Sequence, residues 1–335
     1  MFQYAVPLKE ISAEQFQEFG GKAAHLGELT KAGYNVPPGF CIKCNGYDCM
    51  IESNSLNGQI LDIAKCINFN DLKDIEEKTA QIRSLITNAQ IPKEVEDEII
   101  QNYKNLQVVA GEEPLVAVRS SVAVKNTSIS SFPGMMDTYH YIRGIHEILY
   151  GIKKCWASLW SARGAYARYQ KNIDHCQAVI APIVEMMVYS EVAGVMFTIN
   201  PVTGSKDEIM IESNWGLGET VVSGKSSNDV YVLDKASLSL KSIFIPKKTF
   251  MIVHNCESGI GYKTVPIPPE KIEHPSLTSS MLKELGTIGL HIESHYRLPQ
   301  DIEWAFNSSQ LYILQSRTAK VYQSLALSLK SVWTK

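Results

Sequence analysis

Hydrophobic spacing near the start of the chain predicts a helix that follows a pair of glycines. From Ala23 to Leu29, apolar residues recur at three-residue intervals and so lie on one helical face. Gly20-Gly21 precede this segment and Gly33 follows it, which predicts a turn, a helix and a left-handed C-terminal cap. Lys22 then stands at the helix N-terminus, where backbone amides and an ammonium group attract an anion. Taken alone, Gly-Gly-Lys favours an ordinary turn with a solvated lysine.

Apolar runs further along the chain predict buried strands between charged, amphipathic helices. Leu115–Val118 is such a run, and we expect the strand to end there, with Arg119 at its terminus. A guanidinium group at a strand end suits a bidentate contact with phosphate, and a structural salt bridge is an equally good interpretation. We expect helices at 70–88, 92–106 and 144–169, and strands at 179–188, 193–198 and 207–213.

Alternating residues near the end of the chain predict a β-hairpin. The segments 301–306 and 310–316 flank an Asn-Ser-Ser turn. If Phe306 pairs with Leu311, Glu303 and Gln315 lie within about one rung of each other.

This hairpin would bring three kinds of polar group to one strand end. Glu303 shares a face with Asp301, and Arg317 shares one with Gln315. A carboxylate, an amide oxygen and a cation suit Mg²⁺ and a polyphosphate. An exposed polar sheet face is the competing interpretation, and the hairpin alone favours it.

Composition narrows the class of protein. The chain has 335 residues, of which 45% are hydrophobic and 20% charged, which excludes wholesale disorder. The formal net charge of −3 argues against a protein that coats nucleic acid. Helices mixed with antiparallel strands predict an α+β fold of two lobes, at 1–180 and 181–320, with a tail at 321–335.

Localisation is predicted from the absence of export and membrane signals. The N-terminus lacks a secretory pattern, and no run of 18 uncharged apolar residues occurs. Seven cysteines fit reduced thiols better than a disulfide framework. Cys41-x-x-Cys44 has no second pair at zinc-finger spacing, so buried structural thiols are favoured over a metal site. We therefore expect a cytoplasmic protein with no membrane partner.

Ordered motifs along the chain give a more specific interpretation. The sequence resembles the ATP-binding domain shared by phosphoenolpyruvate synthase, pyruvate phosphate dikinase and rifampin phosphotransferase. The resemblance covers about residues 10–318. It rests on these blocks: GGKAAHLGELTKAGYNVPPGF, VAVRSS, SFPGMMDTY, SEVAGVMFTINPVTG with NWGLGETVVSG, DIEWAF and LYILQSR.

The resemblance implies an ATP-grasp-like fold whose two lobes enclose a nucleotide cleft that binds ATP and Mg²⁺. Lys22, Arg119 and Arg317 would contact the phosphates and serve in catalysis. The remaining implied contacts are Gly134 and Thr138 at the phosphate end, Glu185 near the adenine, and Glu303 with Gln315 as magnesium ligands.

In the family, this domain transfers the β-phosphoryl group of ATP to a histidine on a swivelling domain and leaves AMP. The sequence shows no Thr-Gly-Gly segment of the kind that precedes this histidine, and only 18 residues follow Arg317. We therefore expect a separate protein to carry the histidine.

Two departures from the family pattern keep alternatives open. Val124-Lys125-Asn126 stands where the family has an acidic pair, and Glu185 replaces a more usual glutamine. A non-catalytic ATP-binding regulatory or scaffold protein is the main alternative, and a self-contained small-molecule kinase is a weaker one.

Overall fold

The computed structural model describes residues 3–124, 137–222, 226–255 and 261–320. The chain divides into two compact units, Met1–Met187 and Val188–Lys335. The boundary between these units follows the strand Ala178–Met186, in which the expected boundary near residue 180 lies. That strand is paired along its length with other strands of the first unit, so a boundary within it would break the sheet.

The N-terminal unit is built on a five-stranded antiparallel sheet, in the order β1-β2-β5-β3-β4. Its strands are β1 (Ala5–Pro7), β2 (Gly39–Ile42), β3 (Val116–Val124), β4 (Thr138–Ile142) and β5 (Ala178–Met186). Its helices are α1 (Phe16–Lys31), α2 (Cys44–Ser53), α3 (Asn57–Lys65), α4 (Leu72–Asn88), α5 (Lys93–Ala110), α6 (Ile145–Ser158) and α7 (Ala162–Gln170). Short 3-10 turns occupy Leu8–Glu10 and Ala13–Gln15.

Helices cover both faces of the β3 region. On one face, Val118 and Val122 join the main hydrophobic core with Ile152 and Trp156 of α6. On the other face, Ser121 contacts the first turns of α1. Burial on both faces explains why all nine residues of β3 are buried.

The C-terminal unit contains a six-stranded antiparallel sheet, in the order β13-β12-β6-β7-β8-β9, and a separate two-stranded sheet of β10 and β11. The strands are β6 (Val192–Phe197), β7 (Glu208–Trp215), β8 (Asp229–Asp234), β9 (Leu240–Phe244), β10 (Phe250–His254), β11 (Tyr262–Pro266), β12 (Gln300–Asn307) and β13 (Gln310–Thr318). The helices are α8 (Glu219–Val222) and α9 (Ser279–Tyr296), with a 3-10 turn at Pro269–Lys271.

Helix α9 covers one face of this six-stranded sheet, and residues on the other face are only half-buried. A Cβ added to Gly289 of α9 would lie 3.0 Å from the sulfur of Met196, so α9 packs directly on the Met196 face. The opposite face carries Val195, Glu212 and Glu303, which are all half-buried. The polar residues of interest therefore project from the less covered face.

These elements confirm the α+β class and most of the expected elements. Two expectations are wrong. The single helix expected at 144–169 is two helices, because Ser161 caps the start of α7 with its Oγ, which accepts a hydrogen bond from Gly164 N at 3.1 Å. The strand expected to end at Val118 continues to Val124, so Arg119 lies inside β3. Ser121 Oγ in that strand accepts a hydrogen bond, and a buried serine with a partner does not interrupt a strand.

Among the described residues, no helix is both long enough and apolar enough to cross a membrane. The expected tail, 321–335, lies outside the described residues.

The contact between the buried Arg168 of α7 and His175 predicts that the protein loses stability in mild acid. Arg168 Nε donates a hydrogen bond to His175 Nδ1 at 2.9 Å, which requires that nitrogen to be unprotonated. Burial, and then the charge of Arg168, lower the pKa of His175 to about 4. The unfolded chain takes up this proton first as pH falls below about 6.5, so acidification favours unfolding.

We expect the free energy of unfolding, measured in urea, to fall between pH 7 and pH 5, and His175→Gln to reduce that fall. Glutamine keeps an acceptor for Arg168 but does not titrate. His274→Gln, at an exposed position, is the control and should leave the fall unchanged. An equal pH response in His175→Gln and the wild-type chain would contradict the assignment.

Candidate functional site

Helix α1 packs closely against β3 at Gly20. Gly20 has a φ of +71°, which is not helical, so α1 is kinked there and its second, longer segment begins after it. A Cβ at Gly20 would lie 2.6 Å from the carbonyl carbon of Ser121, so only glycine fits there. Ser121 Oγ accepts a hydrogen bond from Ala23 N at 3.1 Å and satisfies one of the amides exposed at a helix start. The backbone on both sides of Lys22 therefore lies beside β3.

Three other expected residues share one face of the N-terminal sheet. Arg119 of β3 lies directly opposite Thr138 of β4, and directly opposed residues in antiparallel strands point to the same side. Glu185 of β5 lies opposite Ala117, two residues before Arg119, and is therefore on that side too.

Arg119 and Glu185 form a buried ion pair. Arg119 Nη1 donates to Glu185 Oε2 at 2.6 Å, and the two side chains are 11% and 5% exposed. Burial of a carboxylate or a guanidinium group is tolerated when the two are paired. Arg119, which is expected to contact the phosphates, is thus in direct contact with Glu185, which is expected near the adenine.

Ser120, on the opposite side of β3 from Ser121, contacts the segment before β4 and helix α6. Ser120 Oγ donates to Asp137 O at 2.7 Å and lies 3.2 Å from Cys155 Sγ on α6. Burial raises the pKa of the Cys155 thiol to about 12, and the Lys22 charge opposes part of that rise. Gly134 lies outside the described residues.

The hairpin in the C-terminal unit has the predicted pairing. Phe306 lies opposite Leu311 and Glu303 opposite Gln315, and Gln315 Nε2 donates to Glu303 Oε1 at 3.1 Å. The register shifts between Glu303 and Trp304, where Leu314 is the extra residue of a β-bulge. Without that extra residue, Gln315 would point to the other face, because a one-residue slip inverts a strand.

Arg317 also lies beside a carboxylate. Its Nε and Nη2 atoms each lie 2.8 Å from Asp301 Oδ2. Burial raises the pKa of Asp301, and Arg317 opposes part of that rise. Sequence reasoning placed Asp301 on the face of Glu303 but missed its pairing with Arg317.

The oxygen atoms of Glu303 and Gln315 are of the type that binds Mg²⁺. Glu303 supplies carboxylate oxygens and Gln315 an amide oxygen, which are hard ligands of the type that Mg²⁺ prefers. Within the described parts of the chain, no group of three or more His, Cys, Asp or Glu residues is arranged to hold a metal. Magnesium bound to a nucleotide needs only one or two protein ligands, so this finding does not conflict with the fit.

Comparison with known proteins shows that the sequence matches one protein family over most of its length. Residues 16–328 match the family model described as the pyruvate phosphate dikinase, AMP/ATP-binding domain. A probable phosphoenolpyruvate synthase of Pyrococcus abyssi is 38% identical over 92% of this chain and 42% of its own length. The phosphoenolpyruvate synthase of Pyrococcus furiosus is 37% identical over 92% of this chain and 43% of its own. The chain thus spans less than half the length of these relatives.

A solved structure, D-alanyl-alanine synthetase A from Vibrio cholerae, covers 65% of this chain and 54% of its own. It shares 10% identity, and its TM-score of 0.23 is too low to carry an argument.

The contact between α1 and β3 can be tested with a pair of glycine substitutions. Gly20 and Gly33 both have left-handed backbones, with φ of +71° and +86°. A Cβ at Gly20 would overlap β3, whereas a Cβ at Gly33 would meet nothing within 4 Å. Gly33→Ala should cost about 1–2 kcal/mol of unfolding free energy, the backbone term alone.

Gly20→Ala should cost clearly more than Gly33→Ala, because β3 or α1 must also move. Urea unfolding of the two variants measures the difference directly. Equal destabilisation would show that the closeness of α1 to β3 contributes nothing to stability.

Proposed function

The chain belongs to the family of pyruvate phosphate dikinase AMP/ATP-binding domains, and from this membership we propose that it is a phosphotransferase module that acts on Mg-ATP. The module transfers the β-phosphoryl group of ATP to a histidine on a separate swivelling domain or subunit. The bond between the α and β phosphates is broken to leave AMP, and water takes the γ-phosphoryl group, which is released as phosphate. The register of the β12–β13 hairpin, which sets Glu303 opposite Gln315, is the observation that best supports this proposal.

The N-terminal residues would hold the phosphate groups of the nucleotide. Lys22 and Arg119 supply positive charge, and Thr138 adds a hydroxyl group on the face that carries Arg119. Gly134 is assigned to the same end of the nucleotide by the family resemblance alone. Fixed cations aimed at a phosphoryl group stabilise the charge that builds up as it is transferred.

The C-terminal residues would hold the metal and a phosphate. Magnesium, when bound, neutralises phosphate charge and orients the group that is transferred. Glu303 and Gln315 would be its ligands, and Arg317 would contact phosphate from the same hairpin. Glu185, near the adenine by resemblance, carries a carboxylate that can accept from the exocyclic amino group.

Transfer can be tested with ATP labelled at the β position. The acceptor is a full-length phosphoenolpyruvate synthase whose own ATP-binding domain has been inactivated. We expect label to appear on a histidine of the acceptor, with AMP as the nucleotide product. ADP as the only nucleotide product would refute the proposal. Tight Mg-ATP binding without transfer would instead favour a regulatory ATP-binding protein.

Substitution of the two N-terminal cations should abolish this transfer. Lys22→Ala and Arg119→Ala each remove a phosphate contact, and we expect a loss of at least about a hundredfold in rate. Lys31→Ala, an exposed lysine in the same helix, is the control for Lys22 and should retain activity. Full activity in either variant would remove that residue from the phosphate site.

Glu303→Gln should raise the magnesium concentration needed for half-maximal transfer, since an amide is a weaker ligand than a carboxylate. A magnesium titration of the transfer rate measures this change. Glu208→Gln, which removes a carboxylate elsewhere in the C-terminal unit, is the control. An unchanged magnesium response in Glu303→Gln would exclude Glu303 as a ligand.

A further inference from the structure

The Arg119–Glu185 pair has a consequence for nucleotide binding, and this inference rests on the proposed function. Both residues are held by backbone register on neighbouring strands of one sheet. Their contact is short, at 2.6 Å, and both side chains are almost fully buried. The pair is therefore a fixed feature of the sheet, unlike a surface ion pair between two mobile side chains.

A phosphate group would need the donors that this carboxylate uses. Guanidinium groups bind carboxylate and phosphate in the same way, through forked N–H donors. Arg119 Nη1 already donates to Glu185 Oε2. A polyphosphate that approaches Arg119 also meets the negative charge of Glu185, and repulsion in a poorly solvated site is screened less than in water.

We propose that the Glu185 carboxylate competes with the ligand's phosphate groups for Arg119 and so lowers the affinity of this chain for nucleoside polyphosphates. Glu185 would then set how much ATP is bound at a given concentration, and its contact with Arg119 would be exchanged for phosphate on binding. An uncharged glutamine at this position could still accept a hydrogen bond from Arg119 but would not repel phosphate.

The test is calorimetric titration of the whole chain, in the presence of Mg²⁺, with ATP and with adenosine. Glu185→Gln should tighten ATP binding by about tenfold, equivalent to one charge interaction of about 1.4 kcal/mol. Adenosine binding should not change, because adenosine carries no phosphate. In an Arg119→Ala background, Glu185→Gln should tighten ATP binding by a smaller factor, because only the charge repulsion is relieved and the guanidinium group that is competed for is gone.

A charge-matched control separates this local effect from a general one. Glu208→Gln removes one negative charge from a different ion pair, in which Glu208 lies 2.8 Å from Lys241, and should leave ATP affinity unchanged. Should Glu185→Gln not fold, as judged by urea unfolding, Glu185→Asp serves instead. It withdraws the carboxylate by one methylene group and should tighten ATP binding by a smaller factor.

The outcomes distinguish the two proposals. If the wild-type chain binds ATP and Arg119→Ala weakens binding, but Glu185→Gln does not tighten it, the competition is refuted and the proposed function stands. If Glu185→Gln changes ATP binding and adenosine binding by the same factor, the effect does not depend on phosphate, and the competition is again refuted. If neither the wild-type chain nor Glu185→Gln binds ATP, both proposals fail.

Discussion

The cost of burying charge governs the arrangement of the candidate residues in each unit. A cation placed inside a sheet must keep a partner there, since an isolated buried charge is far less stable than a solvated one. Arg119, buried in β3, is paired with Glu185, and the buried carboxylate of Asp301 in β12 is paired with Arg317 of β13. In each case the carboxylate comes from the adjacent strand, so the pairing of the backbones determines which charges meet.

Two local backbone irregularities set the remaining positions. The left-handed Gly20 lets α1 approach β3 closely enough for Ser121 to bond the helical turn that follows it, which places the backbone of Lys22 beside β3. The bulge at Leu314 moves Gln315 onto the face of Glu303. In both cases, a single residue with irregular backbone redirects a polar side chain, and the buried face of the helix or strand keeps its packing.

The sequence allowed the main elements and the hairpin pairing to be predicted, because periodic apolar residues and turn residues act locally. It did not reveal that β3 runs through Arg119, since two serines after an arginine read as a strand end. Their hydroxyl groups are satisfied by α1 and by Asp137, which are distant contacts that no local pattern encodes. A signal for the Arg119–Glu185 pair was present, because each residue interrupts an apolar run and a buried charge requires a partner. Which residue pairs with Arg119 could not be predicted without knowing the order of the strands in the sheet. The ligand roles of these side chains rest on the resemblance and remain predictions.

The two arginines differ in how easily they can change partners. The Arg317 side chain is 52% exposed and Arg119 only 11%. Water can solvate Arg317 when it leaves Asp301, so the exchange of that carboxylate for a phosphate involves little desolvation. Arg119 has no comparable access to solvent, and it can leave Glu185 only as another anion arrives. Arg119 therefore exchanges its carboxylate partner only when a charged ligand binds. Arg317, which is more exposed, can leave its partner before any ligand binds.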